Sequence, residues 1–194
     1  MAVIHKTTMN PTKLELVSDW LPRQPWYLGG GTAPVLEQAG GFRLDDPEGE
    51  VGIEFMVVTD TSGPGPVSYH LPLTYRGAPL EGAGEDALIG TSEHGVLGKR
   101  WVYDGVHDPV LVAQVRQLLR GRAEPQAQSV SDTPDRTVER HLDGEPAGRA
   151  PEAVRVLRDG DAGAPDALGR VTAEWTLPGG GVGRGAFFVL RETV

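Results

Sequence analysis

Between Thr91 and Gln114 the stretch TSEHGVLGKRWVYDGVHDPVLVAQ gathers two histidines, a Lys-Arg pair, two aspartates, a tryptophan and a tyrosine. Several chemistries are open to such a set. Imidazoles and carboxylates can hold a metal, here His94, Asp104, His107 and Asp108. Lys99, Arg100 and His94 can contact a phosphate while Trp101 and Tyr103 stack on a sugar ring. His94 or Asp104 can act as an acid or base. The spacing offers neither a helical i, i+4 ligand pair nor a short paired ligand motif, so it matches no metal-site pattern. Asp108 before Pro109 reads as a helix N-cap followed by proline at the first helical position. The stretch therefore reads first as a strand–turn–helix unit. Its candidate binding or docking residues are His94, Lys99, Arg100, Trp101, Tyr103 and Asp104.

Other motifs lack an essential part. GGGVGRG at 179–185 has no Gly-Lys-Ser/Thr and opens no helix, as a phosphate loop requires, and it lies between two strand patterns. HLD at 141–143 resembles the start of a phosphotransferase catalytic loop. That loop also needs an asparagine shortly afterwards to hold magnesium, and the sole asparagine is Asn10. No Gly-x-Ser-x-Gly nucleophile elbow occurs. Ser92, Glu93 and His94 are neighbours in sequence, which does not build a triad. Asp45 and Asp46, beside Pro47, suit a turn better than paired acid–base work.

The elements that must position these residues follow from periodicity. Ala2 to Met9 reads as a first strand, and Asn10-Pro11 as a helix start. Leu14, Val17 and Leu21 would share one helical face, with Leu16 and Trp20 beside it and Pro22 and Pro25 ending it. Glu50 to Asp60 alternates Val51, Ile53, Phe55 and Val57. The next strand points Val67, Tyr69, Leu71, Leu73 and Tyr75 inward. Its other phase, Ser68, His70, Pro72, Thr74 and Arg76, is expected to face water, and Pro72 to mark an edge. Strands are expected over 87–96 and 98–106, and a helix from Val110 to Arg120 with Leu111, Val115, Leu118 and Leu119 inward and Gly121 as its stop. Residues 122–166 are poor in large apolar side chains and read mostly as linker, with one short strand in AVRVLRDG. Val171, Ala173, Trp175 and Leu177 then pair with Phe187 to Leu190 across a glycine-rich turn. The expected division is a domain over 1–128, a linker-like segment over 129–165 and a hairpin extension over 166–194.

The 194 residues suffice for one core with an appendage. A net charge of -9 argues against nucleic acid and anionic membranes as partners. There is no cysteine, hence no disulfide or thiolate site. The N-terminus lacks the apolar core of a secretory signal, and no apolar run reaches the roughly 20 residues that span a bilayer, so the expected location is the cytoplasm. Fifteen arginines against three lysines, with abundant alanine and glycine, suggest a GC-rich genome.

Several blocks together resemble a known family. MAVIHKTTMNPTKLELVSDWLPRQPWY, GGFRLDDPEGEVGIEFMVVTD, YHLPLTYRGAPL, ALIGTSEHGVLGKRWVYDGVHDPV and QSVSDTP are similar to the N-terminal cap domain of actinobacterial maltokinases and related aminosugar kinases, over about residues 1–135. The resemblance implies an α+β fold, a curved antiparallel sheet packed by about two main helices in a cystatin-like arrangement, followed here by the C-terminal hairpin. In that family the cap precedes a kinase catalytic region that phosphorylates maltose or an amino sugar, in the trehalose–glycogen network. Nothing here occupies the place of the catalytic residues, and no lysine follows Lys99, so no catalytic residue carries over and no cofactor or metal is implied. Nothing in the residues supports a glucan-branching activity.

Three readings follow. The first is a non-catalytic accessory module that docks on a kinase or a glucan-metabolism enzyme, using Lys99 and Arg100, the edge at 67–75 or the C-terminal hairpin. The second is a binding module for a sugar or sugar phosphate, with Trp26 and Tyr27 joining Trp101 and Tyr103 as stacking surfaces. The third is an enzyme of another type, with His94 or Asp104 as acid or base in a pocket.

Overall fold

The computed structural model describes residues 9–130, 132–144, 150–161, 163 and 166–191. The strand expected over 2–9 lies outside them except for Met9, which with Asn10 forms the two-residue strand β1 (Met9–Asn10). Asn10 stands opposite Glu93, so its backbone is extended and the helix starts later than expected. Helix α1 (Lys13–Trp20) is capped by Thr12 instead. Thr12 N donates to Glu15 Oε2 at 2.7 Å, and Glu15 N donates to Thr12 Oγ1 at 3.3 Å, a reciprocal capping box. Leu16, Val17, Trp20 and Leu21 are buried by the helix and the turn after it.

Five long strands carry the sheet: β2 (Leu36–Leu44), β3 (Gly52–Asp60), β4 (Val67–Arg76) and, beyond a loop, the hairpin β5 (Leu88–His94) and β6 (Gly98–Asp104). Helix α2 (Pro109–Leu119) follows, then four short strands: β7 (Gln126–Ala127), β8 (Glu139–Leu142), β9 (Glu152–Ala153) and β10 (Val156–Leu157). The long C-terminal hairpin is β11 (Gly169–Thr176) and β12 (Val182–Leu190), with Gly179, Gly180 and Gly181 all at positive φ in its turn. The main antiparallel sheet runs β1-β5-β6-β4-β3-β2-β7, and β10 also pairs with β4. The second sheet runs β8-β11-β12-β9. The chain is thus α+β, a curled antiparallel sheet with two helices and a hairpin sheet packed on it.

Both faces of β3 and β4 are covered. On one face Met56, Val58, Tyr69, Leu71 and Leu73 pack with α1, Ile89 and Val102. On the other, Ile53, Phe55 and Val57 pack with Phe42, with Leu111, Val115 and Leu118 of α2, and with Val171, Trp175, Phe187 and Phe188 of the C-terminal hairpin. This overturns the water-facing phase expected for β4: Ser68, His70 and Thr74 are buried, and Arg76 is half-buried. The apolar alternation was visible, but the layer covering the polar phase comes from α2, more than 30 positions downstream, and from residues 154 and 187–188, more than 80 downstream.

Pro72 also sits inside the sheet, with β3 on one side of its strand. His70 N donates to Arg155 O, so N–H groups at even positions of β4 point toward β10 and β6. Pairing with β10 ends at Tyr69 and pairing with β6 begins at Leu73. Pro72 occupies the gap, where no partner strand needs its missing N–H.

Residues 122–166, read as mostly linker, supply β7 to β10 and join both sheets. Each of these strands has four residues or fewer, too short to leave a periodic signal. A bulge in β2 lies between Gln38 and Gly40, where Ala39 has no opposite residue. Gly40 and Gly41 are at positive φ, and a Cβ on Gly41 would fall 2.1 Å from Phe55 O, so only glycine fits there.

Asp108 ties α2 to the sheet. Its carboxylate caps Val110 N at 3.0 Å and takes Arg76 of β4 by Nε at 2.6 Å and Nη2 at 2.7 Å. Burial alone would raise its pKa; the Arg76 hydrogen bonds and the helix N–H bring it below the usual aspartate range. Replacing Asp108 with alanine removes the cap and strands a half-buried guanidinium, so we expect a loss of about 2–4 kcal/mol in urea unfolding. Asp108→Asn, which keeps a capping oxygen, is expected to lose less.

Candidate functional site

The six residues singled out along β5 and β6 do not converge on one cleft. Side chains alternate across a strand, so Lys99, Trp101 and Tyr103 take one face of β6 and Arg100 and Asp104 the other. The residues divide between the hairpin tip and the interior.

At the tip, His94 ends β5, and its Nδ1 accepts from Val96 N at 3.3 Å and Leu97 N at 3.1 Å. Arg100 Nη2 donates to Leu97 O at 2.7 Å from the other strand. Two side chains read as ligand contacts therefore brace a turn. Lys99 is exposed, its Nζ 5.1 Å from the centre of the Trp101 ring, and stands opposite Glu93. Val96 and Leu97 are exposed at the turn. The tip is a preshaped apolar knob with a cation and a half-buried indole at its side.

The interior residues are bound to the fold. Tyr103 is buried, and its hydroxyl accepts from Leu80 N at 2.9 Å, which pins the loop after β4. Asp104 is buried and takes Arg155 Nη2 at 2.6 Å. The Arg155 guanidinium also lies over the Trp26 ring, 4.9 Å from its centre. Trp26 meets Trp20 edge-on at 5.8 Å and Tyr69 at 6.0 Å, so this aromatic surface belongs to the core. Tyr27 donates to Asp60 Oδ2 at 2.7 Å; burial and the Asp60 carboxylate push its pKa up to about 12.

The remaining motifs resolve into local structure. Asp46 accepts backbone N–H groups from Glu48, Glu50 and Val51 and shapes the β2–β3 turn. His141 and Asp143 meet at 2.9 Å on the surface. Among the described residues no group of three or more histidine or acidic side chains could hold a metal ion.

Two buried polar centres had no signal in the sequence. Glu54 of β3 takes Lys13 Nζ at 2.8 and 2.9 Å, the Tyr75 hydroxyl at 2.5 Å and Gln128 Nε2 at 2.7 Å. Burial works against the Glu54 charge, but Lys13 and these hydrogen bonds lower its pKa. His70 of β4 is fully buried between Phe55, Phe187 and Phe188, with Nδ1 3.1 Å from Val154 O. Desolvation, aided by nearby Arg155, pulls its pKa to about 3. The partners of both lie tens of residues away, a separation at which charge pairing leaves no pattern.

Together these elements form an α+β module. Over residues 20–108 the chain matches the maltokinase N-terminal cap domain, from the last residue of α1 to the N-cap of α2. The match is narrower than the 1–135 span that the sequence blocks suggested. A comparison with curated proteins found no match. Among the described residues no helix is long and apolar enough to cross a membrane.

The His70 shift has a pH consequence. A group whose folded pKa lies below its unfolded value of 6.5 supports the fold above that value and withdraws the support as pH falls. Stability should therefore decline by up to about 1.4 kcal/mol per pH unit from 6.5 downward, with Glu54 adding to the loss below about 4.5. Urea unfolding at pH 7.5, 6.0 and 5.0 measures this slope, and His70→Gln is expected to flatten it.

Proposed function

We propose that the chain is a non-catalytic accessory module, related to maltokinase caps, that docks on an enzyme of maltose, trehalose or glycogen metabolism through the β5–β6 hairpin tip. One observation carries this reading. Of the six residues with chemical potential, Tyr103 and Asp104 are bound into the interior, whereas Lys99 and Trp101 frame an exposed apolar turn braced by His94 and Arg100. Such a tip suits insertion into a partner's pocket with an acidic rim, a preorganised contact in which a few residues dominate. The match to a kinase cap makes a kinase of the same cell, or a glucan-processing enzyme, the first partner to try.

The sugar-binding reading gains less from the geometry. Arg155 covers one face of Trp26, and the Trp26 and Tyr27 rings both pack against Tyr69, at 6.0 and 5.7 Å, which leaves less open aromatic surface for stacking on a sugar.

The test is biolayer interferometry of the purified chain against the maltokinase and glucan-metabolism enzymes of the same organism. Lys99→Glu and Trp101→Ala should each weaken the complex about tenfold or more, equivalent to about 1.4 kcal/mol. Unchanged affinity would remove the hairpin tip from the interface. No binding by the wild-type chain to any of these enzymes would remove the docking reading itself.

A further inference from the structure

The edge of β4 that faces β10 is a seat with an occupant from this chain. β6 takes only Leu73 to Arg76 of that edge, and β10 takes Ser68 and Tyr69. The segment 152–157 lies along the opening between them, held by the two-residue ladders of β9 on β12 and β10 on β4 and by Val154 N, which donates to Phe187 O at 2.9 Å. It is a strap between the two sheets.

The strap shows which chemistry the seat reads. His70 N donates to Arg155 O at 2.9 Å, and His70 Nδ1 lies 3.1 Å from Val154 O, so the seat takes extended backbone. Asp104 Oδ2 takes the Arg155 guanidinium at 2.6 Å and Trp26 lies beneath it, so the seat holds a cation between a carboxylate and an indole. Leu157, two residues on, is buried among the apolar side chains. An extended segment with arginine followed two positions later by an aliphatic residue meets all three requirements.

The strap satisfies the seat incompletely. Asp104 Oδ1 and Arg155 Nη1 are buried with no hydrogen-bond partner among the described residues. The carboxylates of Glu54 and Asp108, by contrast, have every oxygen engaged. Unsatisfied buried polar groups weaken the segment that buries them, and short ladders open locally more readily than long ones.

We propose that residues 152–157 are an exchangeable internal ligand, and that the β4 edge with Asp104, His70 and Trp26 is a docking groove for an extended, arginine-bearing segment of a partner protein. That segment adds as a strand beside Ser68 and Tyr69 and displaces the strap, a form of strand addition to a sheet edge. A cation-bearing segment also complements a chain of net charge -9. The groove is separate from the β5–β6 tip, so either can fail without the other.

The probe is a fluorescein-labelled peptide of residues 151–159, PEAVRVLRD, titrated by anisotropy into the full chain. In the Arg155→Ala chain, whose own strap has lost its anchor, the peptide should bind at least tenfold more tightly than to the wild type. Replacing the peptide's arginine with alanine should weaken binding at least tenfold, and that difference should vanish when Asp104→Asn is added to the protein. No saturable binding to the Arg155→Ala chain, or binding indifferent to the peptide's arginine, overturns the proposal. Native-state hydrogen exchange on the wild type is a second measurement that needs no variant to fold. The amides of Val154 and His70 should exchange at least a hundredfold faster than those of central β3, and equal protection overturns the proposal.

Discussion

Strands β3 and β4 are apolar on both faces, and that constraint organises the rest of the chain. A two-faced strand pair needs two covering layers. Helix α1 with the β5–β6 hairpin supplies one, and α2 with the C-terminal hairpin supplies the other. The second layer explains why Phe187 and Phe188, near the end of the sequence, lie against Phe42 and Phe55. Both phenylalanines point into one core because Phe187 is the extra residue at a bulge between β11 and β12, where Val171 pairs with Phe188 and Thr172 with Ala186.

Three of the elements packed on the sheet are also tied to it by an ion pair. Lys13 joins α1 to Glu54, Arg76 of the sheet joins Asp108 at the head of α2, and Arg155 joins the strap to Asp104. Buried pairs add little net stability, because desolvation offsets their attraction, yet losing one partner leaves a costly charge. Their effect is to favour one placement of each layer over others that would bury similar apolar area. Glu54 reaches furthest, since Gln128 brings in the segment after β7 as well.

Much of the fold could be read from the sequence where pattern and punctuation agree. The Asp108-Pro109 start, the inward face of α2, the Gly121 stop, the strands β5 and β6 and the glycine-rich turn of the C-terminal hairpin follow local rules and are present. What escaped was non-local. A strand with apolar and polar phases reads as half-wet unless a second layer is known, so β4 was misjudged. Strands of two residues carry no period. The candidate residues were chosen for their chemistry, and chemistry alone does not distinguish a histidine that binds a ligand from one that accepts two N–H groups of its own turn. Arg155, which organises the strap, falls in AVRVLRDG, the one short strand read within the linker-like segment, but nothing local to it points to Asp104, 51 residues earlier.

The β2 bulge has a consequence for how one strand divides its allegiance. Leu36 packs toward α1, whereas Phe42 and Leu44, an even number of residues further on, pack toward α2 and the C-terminal hairpin. In an unbroken strand all three would share a face. The unpaired Ala39 reverses the phase midway, and Gly40 and Gly41 supply the backbone that permits the reversal. Strand β2 thus behaves as a crossover between the two cores, its first third bonded into one hydrophobic body and its remainder into the other. A single-residue deletion at 39–41 would restore simple alternation and leave one end of the strand facing the wrong interior.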